Sequence, residues 1–280
     1  MVYRWRCRHC DFSVWASTRT EITRRVKRHI LSHSRQNITE GEFQLQWECP
    51  YCDRTGQSHE RPQGIETYRD HLFGHVEALL ESGVHVADDI GRTGNILVLS
   101  SLESTGANNA RIHFLSPCDI VVLVTTNPAA RIQLIQEELP ELPAWIVVLT
   151  TREKPLDGLS EQDLSVLPLE VVQLDKQMGL AGLGETVSRV LTEQEKMAGK
   201  ISFEFDILSE LVDTFTLQSV FQFLHILTAR LDEADALSHY YFDPETQYEG
   251  SANVLNQMFD MRIRATEGVF TSSPGPALER

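Results

Sequence analysis

The sequence predicts an α/β chain: two small ββα units, then a mostly parallel sheet with helices on both faces. Three observations carry this. The pattern C-x2-C-x18-H-x3-H occurs twice in the first 80 residues, from "YRWRCRHC" and from "WECPYC". From residue 94, short β-branched runs alternate with longer helical segments, the signature of a parallel sheet. Charge is also divided unevenly: residues 1–36 hold nine Lys and Arg against two acids, a net of +7, so the other 244 residues carry −22 of the total −15.

The repeated pattern is explained by metal chemistry. Two residues between cysteines form a knuckle that aims both sulfurs at one point. Histidines four apart on a helix present imidazoles one turn apart to the same point. In "TEITRRVKRHILSH", Ile22, Val26, His29 and His33 share one helical stripe. Cys7, Cys10, His29 and His33 form the first ligand set, and Cys49, Cys52, His71 and His75 the second. Each N2S2 set suits Zn2+, giving two ions per chain. A redox pair would not require the paired histidines, and a disulfide framework would leave Cys118 unpaired. Tyr3, Trp5, Phe12, Trp15, Trp47 and Tyr51 would fill the small cores. Cys118 reads as an inert thiol at the edge of a core, and His9 and His59 as solvated loop residues.

These eight residues resemble the ligands of two-Cys two-His zinc fingers, with finger 1 over 1–36 and finger 2 with its linker over 37–80. Aligning the first histidine with its usual finger position puts the base-reading positions on Ile22, Arg25 and Arg28, then on Ile65, Thr67 and Asp70. The basic helix of finger 1, through Arg24, Arg25, Lys27 and Arg28, is therefore the expected contact for DNA or an acidic protein surface. Asp70 and Glu66 would repel phosphate. The gap of 18 residues exceeds the usual gap of about 12, and "SRQNITEGEFQLQ" is not the short linker of fingers that track DNA in series.

Beyond the Gly-punctuated "VADDIGRTG", strands are expected at "NILVLSS", "CDIVVLVTT", "AWIVVLTT", "LEVVQL", "ISFEFD", "DALSHYYF" and "MRIRAT". Helices are expected at "AARIQLIQEEL", "LAGLGETVSRVLTEQEKM", "LQSVFQFLHILTARLDEA" and "ANVLNQMF". "NILVLSS", "ISFEFDILSELV", "VFQFLHILTARLDEADALSHYYFDP" and "LNQMFDMRIRA" together resemble a RecA/KaiC-like domain, more closely the haloarchaeal HTR-like proteins of unknown function, over 94–268. The resemblance implies an archaeal origin and other protein partners for this domain. The loop after its first strand, "SLESTGANNARIHF", lacks the G-x-x-x-x-G-K-[ST] phosphate cradle, and Glu103 would oppose a triphosphate. Asp206 stands where a magnesium-holding acid would end its strand, and is read as capping the next helix. "GLAGLGE" reads as a helix start, and His225 as a core histidine in a stripe with Phe221, Leu224 and Thr228. His239 with Asp243, and His113, lack a nucleophile at recognisable spacing. The tail, 269–280, reads as disordered.

No run approaches the roughly 20 apolar residues of a membrane span, and the basic N-terminus lacks the apolar core of a signal peptide. The expectation is a cytoplasmic, non-catalytic, DNA-binding or transcription-related regulator or adaptor with a non-hydrolysing RecA-like domain. A pure protein-interaction module and a nucleotide-binding sensor are the alternatives.

Overall fold

The computed structural model describes residues 2–41, 44–116, 118–160, 164, 167–245 and 249–272. The chain divides into an N-terminal unit, running to Val84 and including the strand after Gly268, and a C-terminal unit, His85–Glu267.

In the N-terminal unit, strands β1 (Tyr3–Arg6) and β2 (Ser13–Ala16) form an antiparallel hairpin leading into helix α1 (Arg19–His33). Thr18 caps α1 by accepting from the Glu21 backbone N–H, and its hydroxyl donates to the Glu21 carboxylate at 2.9 Å. The second ββα motif contains a sheet of β3 (Ile38–Glu40), β4 (Leu45–Glu48) and β5 (Thr55–Ser58), then helix α2 (Arg61–Val76) with Pro62 in its first turn. Proline suits that position because its missing N–H has no partner to lose there. β6 (Glu81–Ser82) pairs with β1, and β14 (Val269–Ser272) with β2. The tail expected to be disordered thus contributes a strand, with Val269 and Phe270 buried, along the edge of β2; residues 273–280 lie outside the described residues.

The two motifs share one core. Trp5, Val14, Ile22, Val26 and Ile30 of the first cluster with Leu45, Trp47, Tyr68, Leu72 and Val76 of the second.

The C-terminal unit is built on seven parallel strands in the order β10-β9-β8-β11-β12-β7-β13. These are β7 (Gly94–Leu99), β8 (Ile120–Val124), β9 (Trp145–Thr150), β10 (Leu169–Gln173), β11 (Ile201–Phe205), β12 (Leu237–Phe242) and β13 (Met261–Thr266). The helices are α3 (Thr105–Leu115), α4 (Pro128–Glu138), α5 (Leu180–Gln194), α6 (Leu208–Thr214), α7 (Leu217–Glu233) and α8 (Glu249–Leu255). β8 shows why helices cover both faces. Its residues alternate between two cores: Ile120, Val122 and Val124 join the residues of α5, α6 and α7, whereas Val121 and Leu123 join those of α3 and α4. The expected mostly parallel sheet with helices on both faces is what the chain forms, and α5 begins at the "GLAGLGE" segment, with Gly179 at its cap.

His225 is not a core histidine. The buried stripe of α7 is Val220, Phe223, Leu224, Leu227, Thr228 and Leu231, and one residue beyond Leu224 the helix has turned His225 out to solvent.

Helix α3 meets β13 at Gly106, where an added Cβ would lie 2.9 Å from the Ala265 carbonyl oxygen and the Thr266 Cα. The neighbours are backbone atoms, so the helix itself would have to retreat. Gly106→Ala is expected to cost about 1–3 kcal/mol, seen as a lower denaturant midpoint; an unchanged or higher midpoint would contradict the close approach.

Candidate metal centres

Each ligand set converges. Cys10 Sγ lies 3.4 Å from His29 Nε2 and 3.5 Å from His33 Nε2, Cys7 Sγ lies 3.6 Å from His33 Nε2, and the two Nε2 atoms are 3.1 Å apart. In the second set, Cys49 Sγ to His75 Nε2 is 3.5 Å, Cys52 Sγ to His71 Nε2 is 3.4 Å, and the nitrogens are 3.3 Å apart. In each set all four donor atoms lie within 4.8 Å of one another. A tetrahedral ion with metal–sulfur bonds of about 2.3 Å and metal–nitrogen bonds of about 2.0–2.1 Å requires S···N edges of about 3.5 Å and an N···N edge of about 3.3 Å. Both sets have those dimensions, so all eight ligands read from the sequence are brought together and could hold two metal ions.

The surroundings fix the ligands. The backbone N–H groups of His9 and Tyr51 point at Cys7 and Cys49 Sγ, each at 3.4 Å, closing the two knuckles alike. Phe12 stacks on the His29 ring at 4.0 Å and Trp47 on the His71 ring at 5.4 Å, which sets the imidazole planes. Burial, reinforced by His33, holds His29 neutral by lowering its pKa to about 4, the protonation state a metal requires.

The basic helix is placed differently from expectation. Ile22, aligned with a base-reading position, is fully buried. Lys27 forms an ion pair with Asp70 of α2, so the acid expected to repel phosphate instead neutralises a cation of α1. Arg24 and Arg28 are exposed and Arg25 half-buried, leaving three of the four cations on the open face. His9 is also not simply solvated, since its Nε2 lies 2.8 Å from the Tyr51 hydroxyl.

In the C-terminal unit, Asp206 does not cap a helix. It lies buried at the carboxyl end of β11, takes a hydrogen bond from Arg131 Nε at 2.9 Å and one from the Thr125 hydroxyl at 3.0 Å, and forms an ion pair with Arg111. Glu204, also fully buried, accepts from Arg111 Nε at 3.1 Å, while its Oε2 has no hydrogen-bond partner. Arg111 further donates to the Leu102 carbonyl at 2.9 Å and lies 4.3 Å over the Tyr241 ring. Two arginines thus face two carboxylates beneath the loop Ser100–Ser104.

Sequence reasoning missed Arg111, Arg131 and Glu204. The available signal was an arginine on the apolar stripe Ala107, Ala110, Arg111, Phe114, where a cation needs a buried partner. His239 is fully buried, hydrogen-bonded with Ser202 and Tyr241, and its pKa is lowered to about 3 by burial and Arg111. His113 is occupied as well, stacking on His85 at 3.8 Å and accepting from the Val86 N–H. Cys118 is half-buried, its thiol pushed up to about 11 by burial, as expected of an inert group. No helix among the described residues is long and apolar enough to cross a membrane.

A family of unknown function (DUF7504) matches residues 93–265. Comparison with curated proteins gives no match. Among solved structures, the uncharacterized protein PH0321 from Pyrococcus horikoshii, in complex with an unknown peptide, aligns at 8% identity with a TM-score of 0.42, covering 66% of this chain and 85% of that one.

The buried cluster has a pH signature. Desolvation raises Glu204 from 4.5 to about 7. A carboxyl raised on folding contributes stability that is fully present below about pH 4.5 and is lost as pH rises through about 7. The buried His239 and His113 carry the opposite dependence, so the Glu204 part is read as the difference between the wild type and Glu204→Gln: protection of β11 amides in the wild type relative to the variant should fall between about pH 5 and about pH 8. A difference between wild type and variant that does not change with pH would exclude Glu204 as its source.

Proposed function

The chain belongs to the family of unknown function DUF7504, and from that premise we propose that it is a non-catalytic adaptor whose N-terminal unit is a zinc-stabilised protein-interaction module. The observation that carries this reading is the packing of α1 on α2, with Ile22 buried and Lys27 paired to Asp70. A finger that reads DNA presents the N-terminal part of its helix to base edges in the major groove. Here that stretch belongs partly to the core. The remaining open face carries Arg24, Arg25 and Arg28, which suits an acidic protein surface and gives duplex DNA only phosphate contacts.

Zinc is the fitting metal because thiolate and imidazole donors in a closed tetrahedral set match its softness and geometry, and four protein ligands leave no open position for substrate. Its role is structural: such sites supply about 10–16 kcal/mol in finger peptides. The C-terminal unit serves as a scaffold that does not hydrolyse nucleotides. Asp206 is engaged by two arginines, the loop Ser100–Ser104 has no lysine, and Glu103 and Glu267 line the cleft beside it.

Elemental analysis of protein purified without chelators should find two zinc ions per chain, and a value below about one and a half would refute the structural role. ATP turnover should stay at background; turnover abolished by Asp206→Ala would show an active site.

Affinity for duplex DNA should remain non-specific, with Kd of about 10⁻⁴–10⁻⁶ M at physiological salt, and should weaken when Arg24 and Arg28 are replaced by Glu. Tight, sequence-selective binding would favour the nucleic-acid reading instead.

A further inference from the structure

The two ligand sets are neighbours within one unit. His9 is the residue before Cys10 in the first knuckle, and Tyr51 holds the same place before Cys52 in the second. The two side chains meet at 2.8 Å, His9 Nε2 to the Tyr51 hydroxyl. Each also packs on a ligand: the His9 ring lies 5.5 Å from that of His33, and the Tyr51 ring 5.5 Å from that of His75. A chain of contacts thus runs from His33 through His9 and Tyr51 to His75. Beneath it, a small cavity is lined by Cys7 and His33 of one set and His75 of the other, with Ile30 of α1 and Val76 of α2 in its wall.

We infer that the two metal sites load cooperatively, each ion ordering the wall and the knuckle on which the other site rests. The inference rests on the zinc reading above. Filling the first site fixes His33, and with it His9 and the near side of the cavity. The second knuckle then closes against a surface already in place, and the ordering cost of that surface is met only once. Coupling must be reciprocal, so the second site helps the first by the same factor, expected at about 5–150-fold.

The test uses the full chain, stripped of metal and retitrated with Zn2+, with native mass spectrometry counting chains holding no ion, one ion or two. Equal independent sites give about half of the chains with one ion at half-saturation; fivefold coupling brings this below about a third. Tyr51→Ala keeps all eight ligands and alters a side chain that is 43% exposed, so it should still bind two ions while the one-ion fraction rises towards about half. A one-ion fraction at the independent value in the wild type, or one unchanged by Tyr51→Ala, overturns the coupling and leaves the zinc reading intact. Failure to take up any ion defeats both, so the two failures are distinguishable.

Discussion

The N-terminal unit depends on the convergence of two sulfurs and two imidazole nitrogens at each of two points. Neither ββα motif could hold its shape by burial alone. The first contributes Trp5, Val14, Ile22, Val26 and Ile30 to the core and the second about as many, a supply far below that of a domain able to fold on apolar contacts. Two devices make up the difference: the cation proposed for each ligand set, and the mutual burial of the two motifs. The second device has a functional cost. Helix faces that pack on each other cannot also enter a groove of DNA, and the salt link between Lys27 and Asp70 removes a cation from the open face.

The C-terminal unit is governed by a different constraint. Covering a parallel sheet on both faces leaves no water for a charge on a central strand, yet β11 carries Glu204 inside and Asp206 follows at its end. Leaving either unpaired would be costly. Arg111 of α3 and Arg131 of α4 supply the countercharge, and Arg111 also ties down the loop at Leu102. An acid at that strand end could hold a magnesium ion in a nucleotide hydrolase. Here its oxygens already accept from two guanidinium groups and a threonine.

Much of this was legible in the sequence, for reasons that differ by element. The metal ligands were readable because tetrahedral geometry allows few spacings, and the repetition of one spacing leaves little room for coincidence. The strands were readable because a doubly covered sheet requires continuous β-branched runs. The role of Asp206 was not, since its partners lie 75 and 95 residues away and the choice between a cap and an ion pair is made by tertiary contacts. His225 failed for a smaller reason: at about 100° per residue, a stripe read one position too wide moves a side chain from core to solvent. The meeting of the two fingers was hidden altogether, because identical spacings describe each ligand set and say nothing of the surface between them.

The two units differ in what holds their polar groups in place: arginines in one and, as proposed, metal ions in the other. In the C-terminal unit the cations are arginine side chains, covalently part of the chain and always protonated. In the N-terminal unit the proposed cations are ions that can be withdrawn by competition or by protonation of their ligands. A guanidinium is tethered to the chain beside its carboxylate, whereas an ion can leave its site and return. The N-terminal unit, with its Arg24 and Arg28 face, thus answers to available metal, as proposed above, whereas the C-terminal sheet answers to pH through Glu204.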